Sequence, residues 1–379
     1  MKPEELIKYR KLIDDIDDKL VSLLVERAKY VKEVGAKKKK ANLAEFRPER
    51  EVEIIERMCS LNRKLGGDLP DNSIANIWLE VISGCRSLEK RLRIGYLGPA
   101  GTYSELAART LFGHQVLLVP FDSLEETLLA AEGESCDIAL LPVENSIEGT
   151  VGRTLDLFLS TSLKISAEVS IPINHLLLRS KTGLADIDEV VAHSQALLQC
   201  QVWLNKNLPG VPRVAVHSNG AAAKMASKNS NLVAIGGQLA ADTYNLFAIA
   251  EKIENDKNNR TRFAALGSFE PDDCGFDQTS LILAVPDKAG AMYALIEPLA
   301  KHGVSMRRFE SRPARNQSDT SWHYYFYVDL EGHHASPSVS TALLEIEKRT
   351  VFFKNLGSYP LFQKLSLPST SNRGESGND

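Results

Sequence analysis

Leu6, Ile13, Ile16, Leu20, Leu23, Leu24, Val31 and Val34 recur at helical spacing, and no proline interrupts the chain between Pro3 and Pro48. Such a run predicts one helix of roughly 35 residues, a length that suits bundles and coiled coils better than single globular domains. A second helix is expected after Pro48. The turn "LGGDLPDNS", with Ser73 as N-cap, leads into a third helix from about Ile74 to Lys90. Three helices, one of them very long, close a poor core alone. The segment therefore predicts a homodimer or higher homo-oligomer.

At Leu92 the texture changes. "LRIGYLGPAGTYSELAARTLF", "DIALLPVENSIEGTVGRTLDLFL", "EVVAHSQALLQCQVWL" and "PRVAVHSNGAAAKMA" each read as strand, polar turn, helix. Repetition of that unit predicts an α/β region with a mainly parallel sheet. From about Gln278 the order becomes strand, helix, strand, strand, a helix near 337–348, and a short last strand, which is a ferredoxin-like βαββαβ order. The tail "PSTSNRGESGND" has the composition of a disordered segment.

The formal charge of −4 gives no whole-chain support for nucleic-acid binding. Its distribution is uneven: residues 1–93 hold 21 Lys+Arg against 17 Asp+Glu, and the remainder holds 24 against 32. A basic helical module on an acidic body suggests an anion-binding task near the start. The first residues lack the apolar core of a signal peptide, and no apolar run reaches the ~18 residues of a membrane span. Five scattered cysteines without a CxxC pair predict a reducing cytoplasm, no disulfide framework and no metal site.

In the helical segment, 11 residues advance an ideal helix by about 1100°, three turns plus about 20°, so Arg27 and Lys38 share a face with Cα atoms roughly 16 Å apart. Both side chains can lean over one small anion. Arg10 is offset from Arg27 by about 100° and is free to serve a partner's site in a dimer. Arg50 and Glu51 follow Pro48, and Cys85 and Glu89 stand at i, i+4 on the third helix. Solvated helix faces would account for all of these charges by composition alone. However, "YRKLIDDIDDKLVSLLVERAKYVKEVGAKKK…RPERE…WLEVISGCRSLEK" resembles the helical chorismate mutase module. The resemblance implies that Arg10, Arg27, Lys38 and Arg50 bind the carboxylates and ether oxygen of chorismate, with Glu51 as hydroxyl partner. Glu89 and Cys85 stand where some members have Gln and Ser, and Arg47 where an acidic residue is usual. The unimolecular rearrangement needs only positioning and charge stabilisation. Glu89 would be a second donor only if protonated.

In the middle segment several helices begin straight after strand ends with small polar residues: Thr102 and Ser104, Ser194, Ser218 and Asn219. Helix N-termini suit carboxylates and can converge on a cleft between two lobes. "GPAG" lacks the features of a nucleotide loop, so no nucleotide or other cofactor is expected. "GPAGTYSE", "PVENSIEGTV", "HSQALLQC" and "TRF", in that order, resemble prephenate dehydratase from about residue 92 to 272. That implies a two-lobed, periplasmic-binding-protein-like α/β domain that turns prephenate into phenylpyruvate. The resemblance implies Thr261 as donor to the departing hydroxyl, assisted by Arg262. It also implies Thr102, Ser104, Glu144, Asn145 and Gln199 as cleft residues; Ser218 and Phe263 join them as candidates. Ala192 occupies the position where the family more often has serine, although Ser194 is nearby, and His193 is expected to be structural.

"GAMYALIEPLAKHGVSMRRFESRPAR" resembles the ACT regulatory domain that accompanies prephenate dehydratases. Gly290, Ala291, Met292 and Tyr293, with Glu310, Ser311, Arg312 and Pro313, match its phenylalanine-binding motifs. The implied whole is multidomain: helical mutase (1–91), α/β dehydratase (92–272), α+β ACT domain (277–363) and a disordered tail (364–379). Its small-molecule partners would be chorismate, prephenate and inhibitory L-phenylalanine, with no nucleic acid and no membrane. The rivals are a dehydratase whose helices only dimerise and a non-catalytic amino-acid sensor.

Overall fold

The computed structural model describes residues 3–41, 44, 46–313 and 324–361. The expected disordered tail and the last two residues of the third expected domain lie outside that range. The Pro-free run forms α1 (Pro3–Lys40), an unbroken helix of 38 residues. Next come α2 (Pro48–Lys64) and α3 (Asp71–Arg86). Pro48 opens α2, where a missing N–H is harmless, and Glu49 and Glu51 in its first turn with Arg63 and Lys64 in its last suit the helix dipole. The third helix starts earlier than expected: Pro70, not Ser73, precedes it, and it ends at Arg86 rather than Lys90. Proline with its extended backbone sets the entry, and Asp71 supplies the negative charge. Ile55, Cys59, Ala75 and Ile82 form the only small cluster here among the described residues. Leu6, Ile13, Ile16, Leu20, Leu23 and Leu24 remain at least 41% exposed.

The next unit comprises β1 (Arg93–Leu97), α4 (Tyr103–Phe112), β2 (Leu117–Phe121), α5 (Leu124–Glu132), β3 (Ile138–Asn145), β4 (Gly149–Thr150), α6 (Gly152–Ser160) and β5 (Lys164–Pro172). The chain then crosses to a second lobe. That lobe holds β6 (Leu176–Arg179), β7 (Glu189–His193), α7 (Ser194–Gln199), α8 (Gln201–Asn207), β8 (Arg213–Val216), α9 (Asn219–Lys228), β9 (Leu232–Gly236), α10 (Gln238–Tyr244) and β10 (Phe247–Ala250). It returns to the first as β11 (Arg260–Gly267). The first sheet has the order β2-β1-β3-β11-β5 with β4 on β3; the second is β10-β6-β9-β7-β8. Both are mixed rather than mainly parallel. The returning β11 inserts antiparallel between β3 and β5, and β6 runs antiparallel to both its neighbours. The strand–turn–helix signals are local and do not encode these two returns.

The last unit has β12 (Asp277–Ala284), α11 (Ala291–Lys301), β13 (Met306–Pro313), β14 (Tyr324–Glu331), α12 (Pro337–Glu347) and β15 (Phe352–Pro360). Its antiparallel order β13-β14-β12-β15 is ferredoxin-like, as expected. Alternation along β12 points Leu281 and Leu283 to α11 and α12, and Ile282 to the opposite face. There Ile282, Tyr327, Leu356 and Tyr359 share one core with Leu141, Leu155, Phe158 and Ala264 of the first lobe. Each such buried side chain contributes roughly 1.5–3 kcal/mol, so the third unit is docked rather than tethered. No described helix is long and apolar enough to cross a membrane.

Candidate active sites

Two cavities gather the chemistry. The first, of about 310 Å³, lies between α1, α2 and the end of α3; Arg27, Lys38, Arg47, Arg50 and Arg86 line it against two carboxylates, Glu51 and Glu89. Lys38 is half-buried in this wall while Lys37, Lys39 and Lys40 are exposed, as the helical geometry predicts. Arg27 lies 6.0 Å from the Trp78 ring and its Nη1 is buried without a protein partner among the described residues. A buried guanidinium N–H directed into a cationic cavity is a ready anion donor. Cys85 lines the same cavity.

The surroundings of the expected residues differ from one another. Glu89 lies in the turn after α3, and its Oε2 is 3.3 Å from Lys38 Nζ, which places an acceptor beside the lysine. Glu51 is buried and held by Arg86, which sequence reasoning missed because one arginine beside Cys85 carries no spacing signal. Burial pushes the Glu51 carboxyl up, and the Arg86 charge offsets part of that. Arg50 is exposed and pairs with Glu53 at 2.5 Å, which leaves it at the rim. Arg10 is exposed and does not line the cavity. Arg47, at the position where an acid is usual, reaches back to Glu49 and across to Asp272.

The second cavity is the cleft between the two lobes, about 510 Å³. It is lined by Thr102, Ser104, Asn145, Gln199, Ser218, Thr261 and Phe263. Three helices of eight or more residues begin there. Thr102 caps α4 by accepting from Glu105 N, Ser218 caps α9 by accepting from Ala221 N, and Gly152 opens α6. Their unpaired N–H groups give the cleft anion affinity without a lysine or arginine in its wall. The cap of α7 is His193, not Ser194, which is exposed; Ala192 is sealed in the core, so no hydroxyl stands there.

Thr261 pairs in register with Asn145 across β11 and β3. Its Oγ1 accepts from Asn145 Nδ2 at 2.9 Å, which leaves the hydroxyl proton to be donated. Asn145 is itself fixed: its Oδ1 accepts from Ile147 N and Glu148 N, and its Nδ2 also reaches Asn259 Oδ1 at 2.7 Å. Asn259 continues to Gln199 Oε1 at 3.2 Å, and that oxygen meets His175 Nε2 at 3.0 Å. Because Gln199 Oε1 is an acceptor, His175 carries its proton on Nε2. Burial lowers the His175 pKa and keeps the ring neutral. Glu148 binds Gln195 and Gln199 across the cleft, joining the lobes. His175 and Glu148 are not legible in the sequence: an isolated histidine carries no pattern, and Glu148 stands in a turn whose partners, Gln195 and Gln199, lie in the other lobe.

Glu144 and Arg262 are corrections to the expected cleft set. One residue along a strand reverses the face, so Arg262 points away from Thr261, into the contact with the third unit. There it meets Glu144, Glu168 and Asp329. In the third unit Gly290 takes a left-handed φ of 83° before α11, a conformation glycine adopts without strain. Ala291 and Met292 face the local core, Tyr293 is exposed, and Arg312 pairs with Asp156 of α6. Glu310, Ser311 and Pro313 lie on β13.

Family models for chorismate mutase type II and for prephenate dehydratase match residues 9–90 and 94–271 respectively. A bifunctional chorismate mutase/prephenate dehydratase of Aquifex aeolicus is 40% identical over 94% of this chain and 98% of its own length. A prephenate dehydratase from Arthrobacter aurescens, solved in complex with L-Phe, is 30% identical with TM-score 0.66 over 73% of this chain and 92% of its own. A solved protein described as a novel type of quorum quenching acylase is 28% identical with TM-score 0.64, over 71% of this chain and 98% of its own. A helical cation-rich pocket and a two-lobed cleft on one chain, each within its matched segment, place this protein in the family of bifunctional chorismate mutase/prephenate dehydratases.

Proposed function

We infer that the helical pocket binds chorismate and the interlobe cleft binds prephenate, so that the product of one site is the substrate of the other. The observation that carries the first assignment is a cavity with five cationic side chains and two carboxylates, suited to a small dicarboxylate. Arg27 and Lys38 hold the substrate in its reactive conformation, and the ammonium of Lys38, oriented by Glu89, stabilises charge developing on the ether oxygen.

The second assignment rests on Thr261. As the ring carboxylate leaves as carbon dioxide, the electron pair of the breaking C–C bond enters the ring and expels the hydroxyl. Thr261 supplies the proton that makes it water, and solvent restores that proton. Asn145 Nδ2, already bonded to Oγ1, stabilises the negative charge that grows there, and the starts of α4, α6 and α9 hold the substrate's carboxylates.

We place a second copy of the chain against α1, whose apolar residues otherwise face water, and assign Arg10 to the partner's pocket. The ferredoxin-like unit is read as an ACT domain that takes L-phenylalanine at Gly290–Tyr293 and Glu310–Pro313, and five free thiols fit a reducing cytoplasm. Supplying chorismate to the purified protein should yield prephenate and then phenylpyruvate, with the second step slowed by added L-phenylalanine. No prephenate from chorismate overturns the first assignment, no phenylpyruvate from supplied prephenate overturns the second, and indifference to phenylalanine overturns the third.

A further inference from the structure

Arg262 stands back to back with Thr261 on β11 and belongs to a buried cluster of charged and hydroxyl groups that spans two domains, in which its Nε and Glu168 Oε1 have no hydrogen-bond partner among the described residues. Its Nη2 lies 3.3 Å from Asp329 Oδ2, and Asp329 Oδ1 accepts from Ser280 Oγ at 2.7 Å. Tyr359 OH lies 2.8 Å from Ser280 Oγ and 3.3 Å from Glu168 Oε2, and its single proton serves one of the two; Glu168 Oε1 faces Arg262 Nη1 at 3.7 Å, an ion-pair contact that leaves this oxygen without a hydrogen bond among the described residues. Ser280, Asp329 and Tyr359 come from the ferredoxin-like unit; Arg262 and Glu168 come from the dehydratase sheet. Glu144, next to Asn145, sits 3.4 Å from Arg262 Nε and 3.3 Å from Arg308 Nε, and Arg308 donates to Thr150 Oγ1 in the cleft wall. Glu168 and Asp329 are 3% and 5% exposed, so these charges act in a weakly screened setting.

We propose that Arg262 is a positioning residue for the dehydration step, and that Asp329 of the ferredoxin-like unit, with Glu168, sets the placement of Thr261 and Asn145 through it. The basal dehydratase site is thus completed from behind by a domain that does not line the cleft. This rests on the reading of Thr261 as proton donor. Two cations, Arg262 and Arg308, face three carboxylates, Glu144, Glu168 and Asp329, with Tyr359 and Ser280 bridging. Burial raises Glu168 to about 7, the Arg262 charge works against that, and Asp329 adds to it. Below that pH Glu168 is neutral and Arg262 is shared between Glu144 and Asp329. Above it a third negative charge draws Arg262 toward β5 and relaxes β11.

The test compares dehydratase kcat, KM and pH profile for wild type, Glu168→Gln, Asp329→Asn and Ser280→Ala in the full chain, with mutase activity of each preparation as the check on folding. The wild-type kcat should fall as pH rises through about 7, and Glu168→Gln should lack that step. Asp329→Asn should lower kcat within the roughly 5–150-fold range of intersite coupling, Ser280→Ala should lower it less, and KM should move by less than about threefold. An unchanged pH profile in Glu168→Gln, or Asp329→Asn and Ser280→Ala within about twofold of wild-type kcat, overturns the proposal. If Asp329→Asn loses mutase activity as well, Ser280→Ala and Glu168→Gln decide. Activity retained in Thr261→Ala would instead overturn the donor assignment, a separate outcome.

Discussion

Lys38 shows how much one residue's neighbours matter. The four consecutive lysines at 37–40 are chemically alike, yet only Lys38 turns into the cavity wall, eleven residues and three turns from Arg27. Lys38→Ala should lower mutase kcat/KM by about 10²–10³, the usual loss of a charge-stabilising donor, while Lys40→Ala stays within about twofold. Steady-state assays of the two variants check this. Lys38 was legible because helical phase can be computed from sequence alone. Arg262 was misjudged for the converse reason: the "TRF" run reads as one motif, but strand alternation sends its middle residue to the other face. The partners that wait there, Glu168 and Asp329, lie far away in sequence and give no local signal.

At the scale of elements, α1 and the α2–α3 pair behave differently. Residues Leu6 to Val34 of α1 face water along most of their length. Ile16→Asp should therefore lower the mass seen by analytical ultracentrifugation and reduce mutase activity, with the dehydratase retained; an unchanged mass would remove the partner from the account. By contrast, α3 is pinned internally. Arg86 joins Glu51 of α2 and donates to the carbonyl of Phe112 at the end of α4. Arg86→Met strands a buried carboxylate and should cost about 3–5 kcal/mol. Because Glu51 already has a raised pKa, the loss should shrink as pH falls and the carboxyl takes up a proton. Thermal midpoints across pH measure both effects. The existence and order of these helices were readable from periodicity. Their ends were not, since a proline at position 70 outweighed a serine cap at 73.

For the whole molecule, the βαββαβ order of the last segment and a cleft between two α/β lobes both match expectation. What the sequence left hidden was contact between units: β11 returning between β3 and β5, one apolar core shared by the dehydratase sheet and the ferredoxin-like sheet, and the charged cluster beside it. Long-range pairings of this kind carry no periodicity.

The central claim is that one chain holds two separable sites acting in series. Its most direct measurement supplies chorismate to wild type, Lys38→Ala and Thr261→Ala and follows prephenate and phenylpyruvate together. Wild type should produce phenylpyruvate. Thr261→Ala should accumulate prephenate, with the later step down by about 10²–10⁴. Lys38→Ala should make little prephenate yet convert supplied prephenate at the wild-type rate. Loss of both steps in either variant, with the fold intact, would contradict the account.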